Sequence, residues 1–139
     1  MILEVVVSGV LGTILGVIVE HYIHERAVKK RYFMSLYDEI KLNIYVAKKT
    51  LDKIDVTRGG SIYRPLYTMA YQKIRSSGYL AILDRHVRER LEQVYDDIYA
   101  YNQDKGLKYW HPALLKHIIR ELENVQKELQ NRFFFLKRI

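Results

Sequence analysis

Residues 2–19 read ILEVVVSGVLGTILGVIV, and Tyr22 and Ile23 extend the apolar run to about 22 residues. At 1.5 Å per residue a helix of that length spans the ~30 Å hydrocarbon core of a bilayer. The sequence therefore predicts one N-terminal transmembrane anchor over residues 1–24. Glu4, the acid inside the run, lies a turn from its start, where the carboxylate reaches the head groups instead of mid-bilayer. A cleaved signal peptide fits poorly: no basic residue precedes the run, and VEHYIHER follows it in place of a small-x-small site.

Charge sets the expected orientation. Arg26, Lys29, Lys30 and Arg31 crowd the C-terminal flank of the run, and no Lys or Arg lies on its N-terminal side. The positive-inside bias then places the N-terminus outside and everything after the anchor in the cytoplasm, with the cell membrane as the location. Within the run, Ser8, Gly12 and Gly16 recur every four residues and line one helix face, widened by Gly9 and Thr13. Small residues at that spacing let a second backbone approach closely, which predicts helix packing and a homo-oligomer.

Beyond residue 24 the chain changes character. All 23 Lys and Arg but only 14 of the 16 Asp and Glu lie there, a basic excess of nine. That excess points to anionic partners, and membrane lipids fit it, because the basic residues concentrate where topology already requires them. Nucleic acid is not expected, since no recognised binding motif accompanies the charge. No cysteine is present, which excludes disulfides, thiolate metal sites and cysteine nucleophiles together.

Apolar periodicity predicts an all-α fold for residues 25–139: an antiparallel helical bundle following the transmembrane helix. Phe33, Leu36, Ile40, Ile44, Ala47, Leu51 and Ile54 alternate steps of three and four on a first helix. Nothing from Glu20 to Ile54 is Gly or Pro, so that helix can run on from the anchor without a break. Thr57-Arg58-Gly59-Gly60-Ser61 ends it. A second helix is expected from Pro65 to Ser77, closed by Gly78, with Leu66, Met69, Ala70 and Ile74 inside. A third follows Asp84 with Val87, Leu91, Val94, Ile98 and Tyr101, ending near Lys105-Gly106. A fourth starts at Pro112 and carries Leu115, Ile118, Leu122, Val125, Leu129, Phe133 and Leu136.

One pattern runs across these helices: Glu39-Ile40-x-x-Asn43, then Ser77-Gly78-Tyr79-Leu80 and Leu83, then Leu91-x-x-Val94-Tyr95-x-x-Ile98 closing in Tyr101-Asn102. In it the chain resembles a set of uncharacterised prokaryotic proteins with an N-terminal membrane helix and a small helical domain. The resemblance covers roughly residues 36 to 102 and implies this fold and topology, with no activity attached. Independently of it, Asn43 falls on the apolar seam beside Ile40 and Ala47, where an unpaired amide is costly. It is expected to bond another buried polar group and fix helix register, with Asn102 as the candidate partner.

No constellation for catalysis stands out. His21 and His24, beside Glu20 and Glu25, could offer ligands at the membrane edge, but one helix cannot complete a tetrahedral site, so no metal and no other cofactor is expected. Di-iron bundles need Glu-x-x-His pairs on the seams, and the seams have none. Ser76 and Ser77 lack an arranged His and acid, and Arg58-Gly59-Gly60-Ser61 lacks the lysine and spacing of a phosphate loop. The expectation is a non-enzymatic membrane scaffold or assembly protein; the alternative is an accessory subunit on a larger membrane complex. Finally, in Arg132-Phe133-Phe134-Phe135-Leu136-Lys137-Arg138-Ile139 three consecutive aromatics cannot share one helix face. Phe134, Lys137 and Arg138 are therefore expected at the lipid surface together with the basic belt of Arg26 to Arg31, the alternative being that the extra rings pack against a neighbouring subunit.

Overall fold

The protein is described by a computed structural model at residues 1–57, 64–103, 112–133 and 136. Phe134, Lys137 and Arg138, as well as the Arg58 to Ser61 and Lys105-Gly106 breaks, lie outside the described residues. The chain is all-α: among the described residues there are four α-helices and one 3-10 turn, and no strand. The helices are α1 (Ile2–Thr57), α2 (Met69–Ser77), α3 (Arg85–Gln103) and α4 (Pro112–Arg132), and the 3-10 turn is Tyr79–Ile82. Two compact units divide at the middle of α1, Met1–Tyr32 and Phe33–Ile139.

The first unit is a single helix whose apolar window has no buried residue. It is the one helix among the described residues that is long and apolar enough to cross a membrane.

The second unit is the bundle. Its α1 portion buries Phe33, Leu36, Tyr37, Ile40, Asn43, Ile44, Val46, Ala47 and Thr50. The predicted seam is there from Phe33 to Ala47, joined by Tyr37, Glu39, Val46 and Thr50, while Leu51 is only half-buried and the Ile54 side chain lies outside the described residues. On α4 the buried positions are Leu115, Ile118, Ile119, Leu122, Val125 and Leu129, and Leu136 is buried just beyond the helix. Each such aliphatic side chain withdrawn from water contributes roughly 1.5–3 kcal/mol before the entropy of ordering it.

Side-chain pairs fix the directions. Phe33 meets Phe133, Tyr37 takes a hydrogen bond from Gln126 and a second from Gln130, and Lys48 pairs with Glu123. Ascending numbers on α1 thus meet descending numbers on α4, and the two are antiparallel. The same holds between α3 and α4, where Arg90 meets Glu128 at 2.7 Å and Asp97 meets His117 at 3.4 Å. These pairs are partly exposed, so they set register more than they add stability.

The second helix departs from the sequence expectation. It begins at Met69, not Pro65, because the peptide groups of Leu66 and Tyr67 are bonded to side chains and cannot join a helical ladder. Its inner face changes accordingly. Tyr71 and Ile74 are buried, Ala70 is half-buried, and Met69 is 69% exposed. The predicted end holds: Gly78 takes φ 81°, the left-handed conformation in which glycine carries no steric penalty, and its N–H bonds the Arg75 carbonyl.

Candidate functional site

The most organised polar cluster in the bundle gathers on residues 66–71. Asn43 on α1 donates from Nδ2 to the Tyr67 carbonyl at 2.8 Å, and its Oδ1 accepts from the Tyr67 N–H at 2.7 Å. Asn102 on α3 does the same to the preceding residue. Its Nδ2 donates to the Leu66 carbonyl at 2.8 Å, and its Oδ1 accepts from the Leu66 N–H at 2.8 Å. The N–H and C=O of one residue diverge to the same side in extended chain, and those of the next residue to the other side. Two side-chain amides therefore stand in for the neighbouring strands of a sheet, one on each edge. Tyr101 adds a third contact by donating its hydroxyl to the Arg64 carbonyl at 3.2 Å.

The expected Asn43–Asn102 bond is accordingly corrected: the two amides do not bond each other, and each grips a peptide group between them. The requirement that brought Asn43 forward, a partner for a buried amide, is met in full, since the residue has no exposed surface.

One helical turn before Asn43, Glu39 completes the cluster. Only 8% exposed, it accepts from the Ala70 N–H at 2.7 Å, the Tyr71 N–H at 3.2 Å and the Tyr95 hydroxyl at 2.8 Å. Ala70 and Tyr71 are the second and third residues of α2, whose N–H groups a capping side chain normally serves. Thr68 occupies the capping position without making that bond, and its hydroxyl accepts from Gln72 instead. A carboxylate on α1 thus caps α2 from outside, with the negative charge at the helix end that favours it.

Below the carboxylate the rings of Tyr71 and Tyr95 stack, centroids 4.0 Å apart and planes 11° from parallel. Burial pushes the Tyr71 hydroxyl up to about 12, with smaller contributions from surrounding charges. Burial also holds the Tyr95 hydroxyl well above the usual tyrosine range, reinforced by the charge of Glu39 and the hydrogen bond to it. Both phenols are neutral donors at any ordinary pH, and both Glu39 oxygens are occupied, so the cluster is built to hold a segment in place.

Sequence reasoning reached Asn43 and Asn102 but gave no role to Glu39, Tyr71 or Tyr95. Glu39 carried a signal, because it stands one turn from Asn43 on the same seam, and a carboxylate there demands donors. A polar crevice between α3 and α4 is lined by His86, Arg90, Asp97, His117 and Glu121 among others. No group of three or more His, Asp or Glu among the described residues could hold a metal ion.

In the first unit, a Cβ built on Gly9, Gly12 or Gly16 meets nothing within 4 Å. The Thr13 hydroxyl donates to the Gly9 carbonyl at 2.9 Å, which masks the polar group within its own helix. Ser8 and the basic residues Arg26, Lys30 and Arg31 are exposed, and Lys29 is half-buried. No family model, no curated protein and no solved structure matches the chain.

Proposed function

We propose that this protein is a membrane-anchored helical scaffold that self-associates through its first helix. The observation that carries the reading is the state of Gly9, Gly12 and Gly16. They sit inside a helix, where glycine costs up to about 1 kcal/mol each relative to alanine. None takes a positive φ, and within their own helical unit a Cβ on any of them meets nothing within 4 Å. A second helix packed along the Ser8, Gly12 and Gly16 face would give these glycines a use, because small residues at that spacing let two backbones approach closely. Arg26, Lys29, Lys30 and Arg31 at the end of the apolar run would orient the anchor with its N-terminus outside and the bundle in the cytoplasm. Catalysis is no part of this proposal.

Replacing Gly12 and Gly16 by Leu puts bulk into the contact. The expected outcome is a wild-type multimer of one native mass in mild detergent that the double variant reduces to monomer. A variant with unchanged multimeric mass would remove this face from the assembly. A wild-type monomer that brings other chains with it on gentle extraction would favour an accessory subunit of a larger membrane complex.

A further inference from the structure

The Phe33 end of the bundle gathers cations: Arg75 and Arg132 in the last turns of α2 and α4, where the helix dipole favours them, and others at the start of α3, where it does not. Helical rise shows which residues share that end. Arg90 on α3 meets Glu128 on α4, and five residues further along each antiparallel helix, about 7.5 Å, stand Arg85 and Phe133. Phe133 lies on Phe33, with ring centroids 4.6 Å apart. The Tyr79–Ile82 turn leads directly into α3, so it belongs to the same end, as does Arg132 beside Phe133.

The first turn of α3 holds Arg85, His86 and Arg88 and no acid, while Glu92, Asp96 and Asp97 lie in its middle and later turns with no basic residue in the last. The helix dipole favours the opposite arrangement. The dipole gives no reason for these arginines, and only Arg85 has a local partner, Glu89 four residues on. Arg75 and Arg132 are exposed on the neighbouring helix ends, and Arg88 is half-buried. Against them stand Asp84, Glu89 and Glu128; Glu89 is bonded to Arg85 at 2.7 Å, and Glu128 is bonded to Arg90 at 2.7 Å and lies 3.8 Å from His86. Between the arginines the turn exposes Ala81 and Ile82, the latter to 38%. Exposed apolar residues on a turn that shares its end of the bundle with arginines match the boundary of an anionic bilayer, where acyl chains begin directly beneath phosphates. With the first helix as an anchor, the nine residues between Ile23 and Phe33 would tether Phe33 within at most about 35 Å of Ile23.

We infer that residues 75–88 together with Arg132 form a second, reversible contact with an anionic lipid surface. Ile82 enters the head-group layer, and Arg75, Arg85, Arg88 and Arg132 meet the phosphates. The inference rests on the first helix being a membrane anchor, so its test reads both.

The chain has no cysteine, and a single introduced one can carry a nitroxide. Full-length Ile82→Cys and, separately, Leu15→Cys are reconstituted into vesicles of phosphatidylcholine with or without phosphatidylglycerol. Collisions with oxygen report lipid, and collisions with a water-soluble nickel chelate report solvent. The expected result is a label at position 82 that gains oxygen access and loses nickel access in anionic vesicles alone. Each cation at an anionic surface strengthens binding roughly fivefold. Arg75→Gln, Arg88→Gln and Arg132→Gln combined should then lower the docked fraction relative to the free by about a hundredfold. A label equally open to nickel in both lipids overturns the contact, and so does one shielded from both reagents, which reports a protein neighbour. If the label at position 15 is itself open to nickel, the anchor reading falls and this inference with it.

Discussion

Glu39 meets three donors with one charge, and that makes it the residue on which the polar cluster depends most. In Glu39→Gln one oxygen becomes an NH2 group aimed at a backbone N–H or at the Tyr95 hydroxyl. Hydrogen bonds to a charged acceptor are worth ~1.5–3 kcal/mol each, so a loss of about 2–3 kcal/mol in unfolding free energy is expected after partial relaxation. Asn43→Leu strands the N–H and C=O of Tyr67 and should cost about 2–4 kcal/mol. Both are read as a shifted denaturant midpoint at unchanged slope, and a Glu39→Gln midpoint equal to wild type would show that the carboxylate does not hold α2. The difference in legibility between these two residues is physical. An amide on an apolar seam announces in the sequence that it needs a partner, but the partner proved to be a peptide group, and every residue carries one. Composition and periodicity cannot mark which peptide is meant, so Asn102 was found as a residue and misassigned as a partner.

At nine residues, α2 is below the length at which a helix persists alone, and its place depends on the external cap and the Tyr71–Tyr95 stack. That stack gives the element an alkaline limit. The Tyr71 hydroxyl is raised from its ordinary value of 10.0 to about 12 in the fold. The neutral phenol therefore contributes stability that is fully present below pH 10 and is lost as pH rises towards 12. A denaturant midpoint that is level to pH 10 and falls above it is expected, with a shallower fall in Tyr71→Phe; equal falls would place the alkaline sensitivity elsewhere. The long elements were legible because their stripes repeat: Leu115, Ile118, Leu122, Val125 and Leu129 on α4 are all buried as their spacing required. The start of α2 was not, since Pro65 is as compatible with a first helical turn as with the non-helical stretch found. What decided between them sits 22 positions earlier, at Asn43, and 37 later, at Asn102.

For the whole molecule, an apolar helix with no buried residue and a bundle with its own core are the parts a single-pass membrane protein needs. The cytoplasmic placement proposed for the bundle rests on the four basic residues Arg26, Lys29, Lys30 and Arg31. Protease added outside intact cells should leave the bundle whole, and replacing the four by neutral residues should expose a fraction of it; cleavage of the wild type at the cell surface would reverse the orientation. The grip on residues 66 and 67 has a consequence for which sequences can keep this architecture. A side-chain amide that pairs with a peptide group reads no side chain. Information is thus stored unequally: α1 and α3 must supply particular residues at two positions, while the segment they hold is bound by its backbone alone. Tyr67, whose side chain faces solvent, could become almost any residue except proline, which has no N–H to offer. The chain that is held is free to change its surface, and the fold does not have to be renegotiated when it does.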